Sequence, residues 1–288
     1  MDIQKKKRIV IKLGTSTLTH ATGGLNIRRV EELVKITADL HNSGKEIIIV
    51  SSGAVGLGLD RLNVRSIPDD VSKDLIVRAL GENALGLDVP TKQAAAAIGQ
   101  SMLMRIYMEY FGKHGLTVAQ ILLTKKELED SGFNDNTKNT LKRLLISRVI
   151  PIINENDSVA TEELGIGDND TLSACAAKLI GADLLVILSD IDGLYDKDPH
   201  THKDARLITE VTDISDIADC AAGPSGHLGT GGMVTKINAA KIAAEAGIGT
   251  VIMNGSKPGL LYDLFDGKPV GTVFAGSLAG KRGIRPND

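Results

Sequence analysis

Apolar runs of strand length alternate with helix-patterned segments along almost the whole chain. Arg8 to Leu13 is the first such run, closed by a Gly14-Thr15-Ser16 turn. Val30, Leu33, Val34, Thr37 and Leu40 then recur at helical spacing, and Gly44 ends that helix. Glu46 to Val50 follows, with Ile47-Ile48-Ile49-Val50 uninterrupted by any polar residue. An unbroken apolar run predicts a strand buried on both faces, as in a parallel sheet with helices on each side. The same reading predicts strands at Thr117–Leu122, Val149–Ile153, Leu184–Ser189 and Thr250–Met253. It predicts helices over Lys92–Lys113, Asn136–Ser147, Thr171–Ile180 and Thr235–Ala246. Alternation of this kind predicts an α/β fold, an open, mainly parallel sheet covered by helices on both faces. Asn63 to Pro90 breaks the rhythm, with mixed charges, Pro68, Gly81 and Gly86. A helical excursion, a lid and an oligomer contact are all open readings of it.

In such a sheet, ligands bind beyond the carboxyl ends of the strands. Unusual polar residues collect at those ends: Gly14-Thr15-Ser16, Ser51-Ser52-Gly53, Asn154-Glu155-Asn156-Asp157 and Ser189-Asp190. A further cluster, Gly167-Asp168-Asn169-Asp170, opens the helix that begins near Thr171. Carboxylates packed this densely repel one another unless a cation sits between them. Asp157, Asp168 and Asp170 are open to three uses: binding a metal, acting as bases, or holding lysines. The EF-hand spacing is absent and the histidines are scattered, which argues against a calcium cage or a zinc site. No G-x-S-x-G element is present to support a serine hydrolase.

Lys12 interrupts an otherwise apolar strand and must reach either an anion or the strand edge. Gly14-Thr15-Ser16 offers backbone N–H groups and hydroxyls to a phosphate. Ser51 to Gly58 is a second glycine-rich strand-to-helix turn, whose glycines do not follow the G-x-G-x-x-G dinucleotide spacing. Gly229-Thr230-Gly231-Gly232-Met233-Val234-Thr235-Lys236 suits a loop closing over nucleotide phosphates, and is not a Walker A motif. A lysine at a helix start opposes the helix dipole, which favours a functional reading of Lys236 over a plain surface loop. Lysines organised by an aspartate fit phosphoryl transfer, where catalysis is largely positioning and charge neutralisation.

Composition narrows the class. The chain has 288 residues, long enough for one large α/β domain or two ordinary ones. Its hydrophobic fraction of 42% and charged fraction of 24% are those of a globular protein. A net charge of -3 argues against general nucleic-acid binding, and the scarcity of aromatics (no Trp, four Tyr, four Phe) against base-stacking platforms. Cys175 and Cys220 suit small-residue packing in a reducing compartment. Lys5-Lys6-Lys7-Arg8 runs into too short an apolar stretch for a signal peptide, and no segment has the length of a membrane span. A soluble, cytoplasmic protein is expected.

Five segments together carry a resemblance. Ile11 to Ser16, Ser51 to Ala54, Pro151 to Asp157, Gly167 to Asp170 and Gly229 to Lys236 resemble the amino acid kinase family, in its glutamate-phosphorylating branch, over nearly the whole chain. The resemblance implies a kinase domain over residues 1–276 and a short tail over 277–288, where bacterial relatives often continue into a PUA-type domain. It implies ATP-dependent phosphorylation of the γ-carboxylate of L-glutamate to L-glutamyl 5-phosphate, the first step of proline biosynthesis. The alternatives are a carboxylate kinase acting on N-acetylglutamate or aspartate, or a non-catalytic regulatory protein that binds nucleotide or amino acid. An acidic residue at 157 favours a free amino group over an acetylated one, and intact Lys12, Asp170 and Lys236 argue against lost catalysis.

Roles follow from the same resemblance. Lys12 and Lys236 would neutralise the transferring phosphoryl group, with Asp170 holding both. Ser52, Asp157 and Asn169 would bind glutamate, supported by Asn154. Gly14 and Gly53 would lend backbone N–H groups. Lys12, Gly14, Ser189, Asp190 and the segment Thr230, Gly231, Gly232, Met233, Val234, Thr235 and Lys236 would bind ATP. Mg2+ would be carried on the nucleotide phosphates, with no protein ligand named. L-Proline is implied as a feedback inhibitor, a homo-oligomer (dimer or tetramer) as the assembly, and glutamyl phosphate reductase as a coupled enzyme. Neither nucleic acid nor membrane is an implied partner.

Overall fold

The computed structural model describes residues 1–20, 24–62, 89–129, 131–160, 168–199, 201–212 and 231–276. The irregular Asn63–Pro90 stretch as far as residue 88, Gly167, Cys220, His227 to Thr230 and the 277–288 tail lie outside the described residues. In chain order the elements are β1 (Arg8–Leu13), α1 (Thr15–Leu18), α2 (Ile27–Asn42), β2 (Glu46–Ser51), α3 (Ala54–Arg61), α4 (Val89–Gly112), β3 (Val118–Leu123), α5 (Lys125–Glu129) and α6 (Ser131–Ile146). There follow β4 (Ile150–Glu155), α7 (Asn169–Ile180), β5 (Leu184–Ser189), β6 (Leu194–Tyr195), β7 (Leu207–Ile208), β8 (Glu210–Val211), α8 (Gly231–Glu245), β9 (Gly249–Asn254), α9 (Leu260–Phe265) and β10 (Thr272–Phe274).

Among the described residues an eight-stranded sheet runs in the order β3-β4-β2-β1-β5-β9-β10-β8. Every neighbouring pair is parallel except β9 with β10. β1 lies at the centre, with Lys12 opposite Val50 of β2 on one side and Ile187 of β5 on the other. The chain winds from β1 toward β2 and β4 in one direction, and through β5 and β9 in the other. A crevice opens at the carboxyl ends where that order reverses.

Strand alternation divides the core between the two faces. Ile9, Ile11, Ile47, Ile49, Ile150 and Ile152 pack with α2, α4 and α9 through Leu33, Leu103, Phe111 and Leu261. Val10, Ile48, Val50, Ile153, Leu185 and Ile187 pack with α6, α7 and α8 through Leu141, Leu172, Ala177, Ile237 and Ala240. The same two-residue period continues into the polar strand ends. Lys12 follows Val10 toward α7 and α8, whereas Ser51 follows Ile49 and Asn154 follows Ile152 toward α4.

The expected strands are all present, within two residues of their expected limits. The helix expected from Thr235 begins instead at Gly231, so Lys236 stands in its second turn rather than at its start. Glycines are tolerated there because the first N–H groups of a helix have no intrahelical partner, and packing of α8 on α7 supplies the stability. α4 and α6 also begin earlier than the pattern predicts, at Val89 and Ser131. α3 is the helix that the Ser51–Gly58 strand-to-helix turn leads into, whereas β6, β7, β8, β10, α1, α5 and α9 are not anticipated. Each of the latter is two to six residues long, too short to show a period.

α3 enters from Gly53, whose φ of +102° is a left-handed conformation open to glycine at little cost. It then crosses α4 at backbone contact distance. A Cβ on Gly99 would collide with the Ala54 carbonyl, and one on Gly58 with the Ala95 carbonyl. This crossing seats Ser52 and Gly53 against the sheet. Gly99→Ala is therefore expected to destabilise the fold by roughly 1–3 kcal/mol through overpacking. Gly112→Ala, with nothing within 4 Å of the added methyl group, is the control and should be neutral or mildly stabilising. Urea melts of both variants test this, and a Gly99→Ala protein as stable as the parent would show that the helices can part.

Candidate active site

The carboxyl ends of β1, β2, β4 and β5 meet the amino ends of α7 and α8 around two adjoining cavities. The larger, of about 370 Å³, is bordered by Lys12, Gly14, Ser189, Asp190, Gly232, Met233 and Lys236. The smaller, of about 220 Å³, is bordered by Gly53, Asn154, Glu155 and Asp157. Thr15, Ser52, Asp168 and Asn169 border both, so the two spaces share one wall.

Asp170 lies under that wall. Its side chain is 4% exposed and sits between two ammonium groups: Lys12 Nζ at 2.7 Å from Oδ1 and Lys236 Nζ at 3.3 Å from Oδ2. The Thr235 hydroxyl also donates to Oδ2 at 2.8 Å, and Lys236 Nζ donates to the Gly232 carbonyl at 2.9 Å. Burial pushes the Asp170 carboxyl up, but the facing Lys12 and Lys236 charges outweigh it and hold the group below the usual carboxylate range. Of the three uses open to the clustered aspartates, Asp170 thus holds lysines. Asp168 is the N-cap of α7, accepting from the Thr171 backbone N–H at 2.7 Å and the Thr171 hydroxyl at 3.2 Å.

The smaller cavity is built on amides. Asn169 Nδ2 donates to the Ser52 hydroxyl at 2.8 Å and to Asn154 Oδ1 at 3.1 Å. Asn154 Nδ2 donates to Gln100 Oε1 on α4 at 2.9 Å. Ser51 shares a 2.7 Å hydrogen bond with the Tyr107 hydroxyl, and burial pushes the Tyr107 hydroxyl up, keeping it neutral. Asp157 stands apart from this network. Burial, with the nearby Glu155 charge, raises its carboxyl to about 6. An ionised Asp157 therefore lacks a compensating cation among the described residues.

The structure brings together Lys12, Asp170, Thr235 and Lys236, and separately Ser52, Asn154 and Asn169. Gly53 and Asp157 border the smaller cavity, and Gly14, Ser189, Asp190, Gly232 and Met233 the larger. Gly231 opens α8, Val234 borders neither cavity, and Thr230 lies outside the described residues. Sequence reasoning missed Gln100 and Tyr107, which hydrogen-bond to Asn154 and Ser51 from a helix distant in the chain. It also missed Tyr195, Lys197, Asp198 and Pro199 on the wall of the larger cavity, where the Asp198-Pro199 turn pair downstream of Ser189 was the available signal. Among the described residues no three His, Cys, Asp or Glu side chains gather as a metal site.

Three comparisons bear on this geometry. The sequence model of the amino acid kinase family matches residues 7–254. The glutamate 5-kinase of Clostridium perfringens is 43% identical over 277 residues, covering 94% of this chain and 96% of that one. The glutamate 5-kinase of Clostridium tetani is 48% identical over 269 residues, covering 93% and 94%. Among solved structures, carbamate kinase from Giardia lamblia bound to AMP-PNP superposes with a TM-score of 0.65 at 19% identity, over 94% of this chain and 99% of that one. UMP kinase from Bacillus anthracis gives 0.62 at 15%, over 94% and 96%. These two structures speak for the fold.

The raised Asp157 has a measurable consequence. Its pKa of about 6 lies above the ordinary 3.8, so the native state holds that proton more tightly and stability falls as pH rises from about 4 to 6. Above that window the full cost is present. Asp157→Asn should then stabilise the protein by about 1–2 kcal/mol at pH 7.5, after allowance for solvent screening, with the gain vanishing near pH 4. Denaturant melts across pH test it; a gain that does not depend on pH would refute the assignment.

Proposed function

The chain belongs to the amino acid kinase family, and we propose that it transfers the γ-phosphoryl group of ATP to the γ-carboxylate of L-glutamate, giving L-glutamyl 5-phosphate. The observation that carries this reading is the pair of adjoining cavities whose common wall overlies a buried Lys12–Asp170–Lys236 ion pair set. Relatives of nearly full overlap that bear the name glutamate 5-kinase support the choice of substrate.

The larger cavity takes ATP, with its phosphates toward Gly14, Gly232 and the two lysines. The amino ends of α7 and α8 border this space, and their unpaired N–H groups and dipoles favour an anion there. Ser189 and Asp190 line the same cavity beside the nucleotide. Glutamate occupies the smaller cavity, with its ammonium toward Asp157 and Asn169. Asp157, raised while empty, gains the cation it lacks when that ammonium arrives. The glutamate γ-carboxylate is ionised at neutral pH and needs no general base. It attacks the γ-phosphorus where the two cavities adjoin beside Ser52 and Asn169, the bond from that phosphorus to the β,γ-bridging oxygen breaks, and ADP leaves. Lys12 and Lys236 face the charge that spreads over the phosphoryl oxygens, and Asp170 keeps both fixed without reorganisation.

Mg2+ fits this site as a passenger on the nucleotide phosphates, where it would supply additional charge neutralisation. Residues 1–276 are proposed to act as one kinase domain. The product is an acyl phosphate, reactive toward water and reductants, which suits transfer to glutamyl phosphate reductase in proline biosynthesis. Feedback by L-proline, a homo-oligomeric assembly and a cytoplasmic location are part of the same proposal, on the family resemblance. Among the described residues no helix is long and apolar enough to cross a membrane.

A hydroxamate assay with ATP and glutamate, aspartate or N-acetylglutamate tests the reading. Glutamate should support turnover well above the other two, and absence of glutamate-dependent product would sink it. Lys236→Ala should lower kcat at least about a hundredfold, as loss of a charge-stabilising donor does, while the glutamate KM moves by no more than about threefold. Unchanged turnover would remove Lys236 from the catalytic set.

A further inference from the structure

Gln100 is a buried polar residue with no place in the reaction described so far. It projects from α4 toward the end of β4, where it borders a space lined also by Glu155 and Asp157. It is 8% exposed and leaves its Nε2 buried without a hydrogen-bond partner among the described residues. Its Oε1 accepts from Asn154 Nδ2 at 2.9 Å. Asn154 is itself 1% exposed, so its amide is cut off from solvent.

One backbone donor sets the sense of the whole amide chain. The Glu155 N–H donates to Asn154 Oδ1 at 2.9 Å, and a backbone N–H can face only an acceptor. Asn154 therefore turns its oxygen toward Glu155 and its NH₂ toward Gln100, which must answer with its own oxygen. The same Asn154 oxygen receives Asn169 Nδ2 at 3.1 Å, and that NH₂ also reaches Ser52 Oγ at 2.8 Å. The donor side of Asn169 is thereby used up. Its Oδ1 is left buried and without a hydrogen-bond partner among the described residues, on a side chain that borders the smaller cavity as well as the larger.

We infer that Gln100 is a positioning residue for the amino-acid substrate: its carbonyl oxygen anchors Asn154, which orients Asn169 so that Asn169 Oδ1 accepts from the substrate ammonium. This rests on the reading of glutamate as the acceptor. Without the Gln100 oxygen, the buried Asn154 NH₂ loses its acceptor. The side chain then relieves that cost by leaving the position that receives Asn169. Lys12, Asp170 and Lys236 lie toward α7 and α8, on the opposite face of the sheet from Gln100, and should not register the change.

The test compares Gln100→Met, which keeps length and apolar bulk but has no strong acceptor, with Gln100→Glu, which restores an acceptor oxygen. Gln100→Met should raise the glutamate KM about tenfold, the effect of weakening a hydrogen bond to a charged group, with kcat and the ATP KM within about twofold. Gln100→Glu should recover most of that loss. Inhibition by glutarate, which lacks the ammonium, should change by less than about twofold in either variant, because the contact in question is missing from it. A Gln100→Met enzyme with the parental glutamate KM overturns the inference. So does a uniform loss in kcat and both KM values, which would mark a structural role only. If Gln100→Met does not fold, Gln100→Leu, which also lacks an acceptor, takes its place, a rise of about tenfold in glutamate KM supporting the role and a parental value refuting it. A parent enzyme that makes no glutamate-dependent product would refute the proposed function instead.

Discussion

A carboxylate buried between two ammonium groups is the constraint on which this site depends. Asp170 is nearly sealed from water, and taking three charges out of solvent costs several kcal/mol for each ion unless geometry compensates. Here the compensation comes from opposite ends of the chain: Lys12 on the first strand, Asp170 at the amino end of α7 and Lys236 on the second turn of α8. None of the three can be shifted alone without exposing an unpaired buried charge. The ion set therefore locks β1, α7 and α8 in register at the point where the larger cavity opens.

Strand alternation explains why the site divides as it does. Residues two apart on a strand share a face, so the last polar residue of each strand inherits the helical layer of the apolar residues before it. Lys12 inherits α7 and α8 through Val10, and there meets Asp170. Ser51 and Asn154 inherit α4 through Ile49 and Ile152, and there meet Tyr107 and Gln100. The charged half of the site thus lies on one face of the sheet and the amide half on the other. Asn169, at the first turn of α7, reaches across the strand ends and joins them. Under the proposed function the transferring phosphoryl group moves across that junction.

The two halves also differ in how they handle charge. In the first, every buried charge has a partner, and Asp170 is held ionised. In the second, Asp157 is desolvated without a cation among the described residues, and two amide atoms, Asn169 Oδ1 and Gln100 Nε2, find no partner among them. Under the proposed function, the ion set would be a preorganised catalytic centre beside a pocket that is completed by the substrate's own charges.

The chain on its own determined a good deal. Unbroken apolar runs such as Ile47 to Val50 predicted a doubly covered parallel sheet, because only burial on both faces removes the need for polar alternation. Lys12 and the clusters at Asn154 to Asp157 and Asp168 to Asp170 stood out because charge and amides at strand ends oppose burial. Their grouping at one edge followed from the direction of the parallel strands. Tertiary structure decided what local pattern cannot encode. It supplied the reason that Asp170, which the family resemblance implied, and not Asp168 partners the lysines: helix capping consumed Asp168 and the first turn of α7 aimed Asp170 inward. It set the start of α8 at Gly231, where packing overrode glycine's poor helix propensity. It also brought Gln100 and Tyr107 to the amide side of the site, where α4 crosses α3 at backbone contact through Gly58 and Gly99. Contacts between residues fifty positions apart depend on how helices pack, and packing is a property of the assembled layers that no window of sequence contains.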